Sequence, residues 1–140
     1  MTLYFKVLAV CATIIVVGLT TTTSVRGQDW QPLHNDPEIS NGFTILAIGN
    51  RIRKVCPDID ARLVWALGFV QTLRNRAGSM GYSGSEIDTF IDEEDWHYNA
   101  IARQYLAERG AELSDIEAVC RVGRDEIAAQ SPIGRLLREG

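Results

Sequence analysis

The residues best spaced for metal chemistry are Glu93, Glu94 and His97. Side chains four positions apart share a helix face, so Glu93 and His97 could supply two ligands to zinc or copper. The chain has only one other histidine, His34, which is remote in the sequence. A single Glu/His pair is common by chance, and acids near a helix start are explained by the helix dipole. We therefore predict neither a metal site nor a cofactor.

Hydrolysis by carboxylates would require two acids that face each other across a cleft. The chain has 18 acids, and the sequence offers no basis for choosing a pair. Serine hydrolase chemistry lacks its Gly-x-Ser-x-Gly turn, because residues 78–81 (GSMG) are one residue short and are better explained as a helix end. The sequence therefore predicts no catalytic residues and no enzyme. A hydrolase with an unrecognised carboxylate site stays open as an alternative.

A basic set near the carboxyl terminus is the most suggestive feature for binding, and it consists of Arg121, Arg124, Arg135 and Arg138. The spacing of three within each pair makes its members neighbours on a helix surface. Guanidinium groups on adjoining helices could bind a carboxylate-rich or phosphate-bearing partner. The alternative is internal pairing with Asp125, Glu126 and the acids at 93–95. We favour internal pairing, because the domain is acidic and exposed ion pairs are common.

Residues 1–27 have the composition of a signal peptide. A short start containing Lys6 leads into a 13-residue apolar run over 7–19, and the segment holds no acid. This order is typical of a secretory signal, with cleavage expected after Gly27 and a periplasmic or secreted product. The competing interpretation is an uncleaved anchor of about twenty residues. An anchor would hold the domain at the inner membrane, facing the periplasm.

Removal of this segment would change the charge of what remains. The mature chain would keep all 18 acids but only 12 of the 14 bases, a net charge of about −6. Such an acidic product is a poor binder of nucleic acid or anionic lipid through bulk charge. We therefore predict an envelope protein as the partner, with membrane attachment only through a retained N-terminal segment.

Two cysteines, Cys56 and Cys120, remain once Cys11 is removed with the signal peptide. An even number in a small exported domain predicts a disulfide, because the compartment is oxidising. The sequence contains neither Cys-x-x-Cys nor Cys-x-x-Cys-His, so thioredoxin-like and c-type haem motifs are absent. The bridge would close a loop of about 65 residues and stabilise the fold by on the order of 4 kcal/mol. It also predicts that the segments carrying the two cysteines touch.

The rest of the chain is predicted to be helical. Residues 28–37 contain two prolines and little periodicity, and we interpret them as a tether before a helical domain at 38–140. Apolar spacing and caps predict four main and two short helices, an all-α bundle closed by one disulfide. The main helices are expected over 37–55, 59–77, 93–109 and 114–130, and the short ones over 83–92 and from 131 onwards. No run alternates for long enough to predict a convincing strand.

The second predicted helix contains the most apolar stretch, Leu63–Val70. A helix without a polar face is usually central in the packing, so we predict that this is the core helix. The short helix after it is expected to begin at a capping box formed by Ser85 and Asp88.

Several segments carry a resemblance to a known family, namely Ile52–Cys56, Met80–Ser83 with Glu86–Asp88, Cys120–Ile127 and Ile133–Arg138. Together they resemble a family of small exported alphaproteobacterial proteins that is known only as a domain of unknown function. The resemblance covers about residues 38–138. It implies paired cysteines and an all-helical domain, and it brings no catalytic residues because the family has none assigned.

These observations favour a non-enzymatic binding or accessory protein of the cell envelope. A periplasmic stress chaperone or inhibitor is an alternative, since that class also uses compact disulfide-closed helical domains. The chaperone alternative predicts that acid exposes the apolar second helix.

The intact mass of the exported protein tests both the compartment and the cross-link. We expect a mass that corresponds to cleavage after Gly27, because the apolar run is short for an anchor. Without reductant the mass should be lower by two hydrogen atoms, because the remaining cysteines are paired. A full-length mass would show a retained anchor, and a mass unchanged by reductant would show free thiols.

Overall fold

The computed structural model describes residues 29–140, so the predicted signal peptide lies outside the described residues. Five α-helices dominate, and they span Gln31–Asn35 (α1), Pro37–Val55 (α2), Leu63–Ser79 (α3), Gly84–Ala107 (α4) and Ile116–Ala128 (α5). Two short strands, Ile59–Ala61 (β1) and Leu137–Glu139 (β2), and a 3-10 helix over Gly134–Leu136 complete the fold. The predicted all-α class is confirmed, with four long helices and only a minimal sheet.

Helix α2 is the central element, because it packs against α1, α3, α4 and α5. It begins where Asp36 caps it, with the Asp36 carboxylate accepting the backbone N–H groups of Glu38 and Ile39. Pro37 suits the first turn, and Cys56 ends the helix just before Pro57. The sequence therefore located α2 correctly, although it assigned the central position to the following helix.

The core consists of two clusters that share α2. One surrounds the cysteines and includes Ile48, Ile52, Ile59, Leu106, Val119 and Leu137. The other is rich in aromatic rings and includes Trp30, Leu33, Ile39, Leu73, Phe90 and Tyr98. Because α2 supplies side chains to both, it joins the two halves of the domain.

The predicted disulfide is present between Cys56 and Cys120, whose Cα atoms are 5.2 Å apart. Both cysteines are buried, and the bond joins the end of α2 to α5. The two helices also pack against each other, as the pairing required.

The predicted final helix is wrong, because the chain forms the 3-10 helix Gly134–Leu136 and then β2. Strand β2 pairs antiparallel with β1, with Ile59 opposite Glu139 and Ala61 opposite Leu137. Because β1 occupies residues 59–61, α3 begins at Leu63 and not at the predicted residue 59. Three-residue strands are too short to show alternation in the sequence, and their pairing partners lie at distant positions in the chain.

The two helices predicted over 83–92 and 93–109 are one continuous helix, α4. Its capping box is formed by Ser83 and Glu86, two residues before the predicted one. The acids at 93–95 consequently lie in the middle of α4, where they cannot act on the helix dipole as we expected. Helix α5 similarly begins after Asp115, whose side chain accepts the N–H of Ala118.

Residues 30–36 are packed on the domain, so the tether interpretation is wrong for this segment. Leu33 of α1 is fully buried, and Trp30 is buried against Phe90 with ring centroids 5.4 Å apart. The Trp30 indole Nε1 donates to Glu93 Oε2 at 2.7 Å. The sequence missed α1 because its five residues are too few to show helical periodicity.

The Asp36 carboxylate should make the stability of the fold depend on pH. Its Oδ2 accepts hydrogen bonds from Nε and Nη2 of Arg76 on α3, at 3.0 and 2.6 Å. The hydrogen bond from Arg76 and the one from the Ile39 N–H lower the pKa of Asp36. Because the folded-state pKa lies below the unfolded one, this carboxylate stabilises the fold above about pH 4, and the stabilisation is lost as pH falls through the folded-state pKa.

We therefore expect Asp36→Asn to lower the urea midpoint at pH 7, and the difference from wild type to shrink below about pH 4. Asp92→Asn is the matched control, because Asp92 is exposed on α4 and makes no ion pair within residues 29–140. It should change the midpoint little at either pH. A wild-type advantage over Asp36→Asn that stays constant from pH 7 to pH 2 would contradict the assignment.

Candidate functional site

The amino-terminal half of α3 is exposed, which overturns the prediction that this helix forms the core. Four large apolar side chains here, Leu63, Val64, Trp65 and Leu67, are between 63% and 84% exposed. We call these four residues the α3 surface. Monomeric soluble proteins rarely expose contiguous apolar patches of this kind without a functional reason.

Helix α3 is held to the domain mainly through its second half. Leu73 is 1% exposed and packs on α2 at Gly42, where a Cβ atom would lie only 2.4 Å from Leu73 Cδ2. Arg76 then pairs with Asp36. At the other end, the Arg62 N–H donates to the Leu136 carbonyl at 2.8 Å and ties the start of α3 to the carboxyl-terminal segment. Between these two attachments Phe69 packs against the aromatic cluster, whereas Leu63, Val64, Trp65 and Leu67 are exposed.

Two open cavities lie beside this half of α3. The first, about 520 Å³, is bounded by α2, α3, α4 and the carboxyl-terminal segment, and its walls include Phe43, Leu46, Ala66, Val70, Ile91 and Leu137. The second, about 530 Å³, lies between α3 and the segment around the 3-10 helix, and its walls include Val64, Trp65, Phe69, Pro132 and Arg135. The exposed helix is therefore bordered by concave apolar surface.

Cationic side chains lie near Trp65. The guanidinium of Arg62 is 6.0 Å from the Trp65 ring centroid, at the limit of a cation–π contact. Arg135 lines the second cavity with Trp65, and its Nε donates to the Gln130 carbonyl at 3.0 Å. Helix α3 itself carries no acid. The surface thus combines aliphatic side chains with a tryptophan and arginines, and tryptophan and arginine are enriched where proteins bind proteins.

The structure separates the four arginines that the sequence grouped. Arg121 and Arg124 are exposed on α5, and within residues 29–140 neither makes an ion pair. Arg138 lies on β2, 3.8 Å from the Asp60 carboxylate. Only Arg135 borders the α3 surface. The sequence did not predict this surface, because the apolar character of a helical residue does not tell whether that residue is buried or exposed.

Internal pairing of the arginines, which we favoured, is not found for Arg121 or Arg124. Glu126, one of the expected partners, lies instead 3.8 Å from Arg109 and accepts the Tyr105 hydroxyl. Glu93 accepts the Trp30 indole. These acids are therefore engaged by other groups.

His97 of the candidate metal set lies close to His34, the histidine that is remote from it in the sequence. His34 Nε2 lies 3.3 Å from Glu94 Oε2, and the rings of His34 and His97 are 5.5 Å apart. Glu93, the residue that we paired with His97, contacts Trp30 instead. Within residues 29–140 no group of three His, Cys, Asp or Glu side chains is placed to hold a metal ion. The cluster fastens α1 to α4.

Two tyrosines have strongly shifted proton affinities. Burial, followed by the charge of Glu94, raises the pKa of Tyr98 to about 12. Burial and the hydrogen bond to Glu126 raise the pKa of Tyr105 to about 12, and Arg109 lies 3.5 Å from the Tyr105 ring centroid. Both phenols therefore stay protonated at neutral pH. Their contacts hold helices together and do not supply a base.

Comparison with known proteins identifies the family. A model of a family of unknown function, DUF5333, matches residues 31–138. The chain belongs to DUF5333. No curated protein and no solved structure matches it. The match includes α1, so the family domain begins earlier than the predicted boundary at 38. None of the helices in the described part of this DUF5333 chain is long and apolar enough to cross a membrane.

Two leucines on α3 test how this helix is attached. Leu73→Ala should lower the free energy of unfolding by about 2–5 kcal/mol, because it leaves a cavity over Gly42. Leu67→Ala, a matched change at a side chain that is 68% exposed, should change it by no more than about 0.5 kcal/mol. Urea unfolding measures both. A comparable loss in the two variants would show that the α3 surface is buried in solution.

Proposed function

We propose that this protein is exported and acts as a non-enzymatic binding protein of the cell envelope, and that it docks its partner on the α3 surface. The proposal is based on the exposure of four apolar side chains within the first five residues of α3. The rest of the domain contacts this helix mainly through its second half. Burying such side chains against a partner removes apolar area from water and stabilises a complex.

The composition of the surface supports protein binding in particular. Trp65 is 63% exposed on this surface, and tryptophan and arginine are among the side chains that most often dominate binding energy at interfaces. Arg62 and Arg135 lie next to Trp65, where they can pair with acids on a partner. The second cavity, lined by Val64 and Trp65, can accept a projecting side chain of the partner.

Export is supported by the sequence of residues 1–27 and by the buried Cys56–Cys120 bond. Disulfides persist in oxidising compartments and are rare where thiols are kept reduced. The periplasm or the exterior is therefore the compartment that suits this domain.

A stress chaperone is the second candidate, because an exposed apolar helix is also what a holdase would offer to unfolded chains. The α3 surface is already exposed, so the acid-triggered exposure expected from the sequence is not needed for this role. The two candidates differ in selectivity, since a docking protein binds one partner whereas a holdase binds many unfolded ones.

The test is recovery of a partner from envelope extracts by the oxidised protein and by a Val64→Glu/Leu67→Glu double variant. Two buried carboxylates would be costly in a complex, so we expect the double variant to lose at least ten-fold in recovery. Ile116→Glu is the matched control, because Ile116 is an exposed apolar residue of α5 outside the α3 surface. It should recover the partner as wild type does.

Charge reversal tests whether the partner binds at the α3 surface or at the arginines of α5. Arg135→Glu should weaken recovery, whereas the Arg121→Glu/Arg124→Glu variant should not, because Arg135 lines the second cavity with Trp65 and Arg121 and Arg124 do not. Unchanged recovery by the Val64→Glu/Leu67→Glu variant would overturn the proposal. Recovery of many unrelated chains, with suppressed aggregation of an unfolded client, would favour the chaperone.

A further inference from the structure

The first cavity has the dimensions and walls of a small-molecule site. Its volume of about 520 Å³ lies within the range of roughly 300–1,000 Å³ that ligand pockets occupy. Most of its lining is aliphatic or aromatic, with contributions from α2, α3, α4 and the carboxyl-terminal segment. An apolar chain would therefore be stabilised along these walls.

Polar side chains border the same cavity on two facing helices. Asn50 and Arg53 come from α2, and Asp95 and Asn99 come from α4. Arg53 Nη2 donates to Asn50 Oδ1 at 3.0 Å, which orients the guanidinium but leaves its charge unpaired. Within residues 29–140, neither Arg53 nor Asp95 makes an ion pair.

The remaining polar group, Asn99, is held in place. Its Oδ1 accepts from Arg51 Nη2 at 2.6 Å, and its Nδ2 donates to the Asp95 carbonyl at 2.8 Å. Among the described residues, the rim therefore carries one cation, Arg53, and one anion, Asp95, without an ion-pair partner, beside the oriented amide of Asn99. A ligand head with a single charge would satisfy one of these and be repelled by the other.

We propose that the first cavity binds a single-chain amphiphile whose head carries both an anionic and a cationic group, as in a lysophospholipid with a phosphate and an ammonium. The acyl chain lies along the apolar walls formed by residues such as Leu46 and Val70. The phosphate pairs with Arg53 and the ammonium with Asp95. This site goes beyond the proposed docking role, because it uses the cavity-lining side chains of α3 and not the outward side chains Val64 and Leu67.

The probe is monomeric 1-dodecanoyl lysophosphatidylethanolamine, titrated below its critical micelle concentration into the oxidised protein and followed by calorimetry. Dodecanoate and dodecyltrimethylammonium carry the same chain length with a single charge each. We expect one saturable site, with the zwitterionic probe binding at least ten-fold more tightly than either comparison compound.

Filling the cavity tests the location of the site. Ala66→Trp places a large ring where Ala66 lines the cavity, so binding should be lost. Ala107→Trp is the matched control, because Ala107 is exposed at the end of α4 and does not line the cavity. Circular dichroism and urea unfolding establish that both variants are folded.

Variants that remove one charge at a time test the contacts of the ligand head without filling the cavity. They test the proposal even if Ala66→Trp does not fold. Arg53→Gln should lower the affinity for the zwitterionic probe at least five-fold and shift selectivity toward dodecyltrimethylammonium. Asp95→Asn should shift selectivity toward dodecanoate. Both side chains are exposed at the rim, so these variants should retain the fold.

Three results would overturn the proposal: no saturable binding, equal or tighter binding of a single-charge compound, and binding that survives in folded Ala66→Trp. The Val64→Glu/Leu67→Glu variant keeps this inference separate from the proposed function. It should lose the protein partner and still bind the amphiphile.

Discussion

Helix α3 is attached to the domain near its carboxyl-terminal end, where Leu73 packs on the backbone of Gly42 and Arg76 pairs with Asp36. The close contact at Gly42 depends on the absence of a side chain there, since a Cβ atom would lie 2.4 Å from Leu73 Cδ2 and would force the Leu73 side chain to shift. The same Asp36 carboxylate caps α2, so one side chain sets the start of the central helix and the position of α3. The exposed surface and both cavities follow from this placement.

The opposite end of α3 is positioned by the cysteines and the small sheet. The disulfide holds the end of α2 against α5, and β1 follows directly on Cys56 and Pro57. Strand β2 returns from the carboxyl terminus to pair with β1. Because α3 begins two residues after β1, its first turn is fixed in place by covalent and backbone constraints, without burial of its own side chains.

The acids of α4 show how the fold distributes charge. Glu93 and Glu94 contact Trp30 and His34, so they hold α1 on the domain. Asp95, the next residue, is left at the rim of the first cavity. Within the described part of the chain, neither Asp95 nor the facing Arg53 makes an ion pair, and this combination distinguishes the cavity from an ordinary solvated groove.

The sequence by itself determined the features that depend on local chemistry. The cysteine count predicted the Cys56–Cys120 pair, and prolines and caps located α2 because they act within a turn or two of the chain. Apolar periodicity predicted the helical class. It also showed that residues 63–70 are helical and apolar.

Only the tertiary structure decided which apolar residues are covered. Burial depends on neighbours that come from distant parts of the chain, and no such neighbour covers Leu67, which is 68% exposed within the described residues 29–140. Strands β1 and β2 and helix α1 are likewise too short to show a pattern in the sequence, so the strand pairing and the contact of α1 with α4 came only from the structure. The candidate site was therefore hidden in the sequence, since the same residues would serve equally well as a core helix.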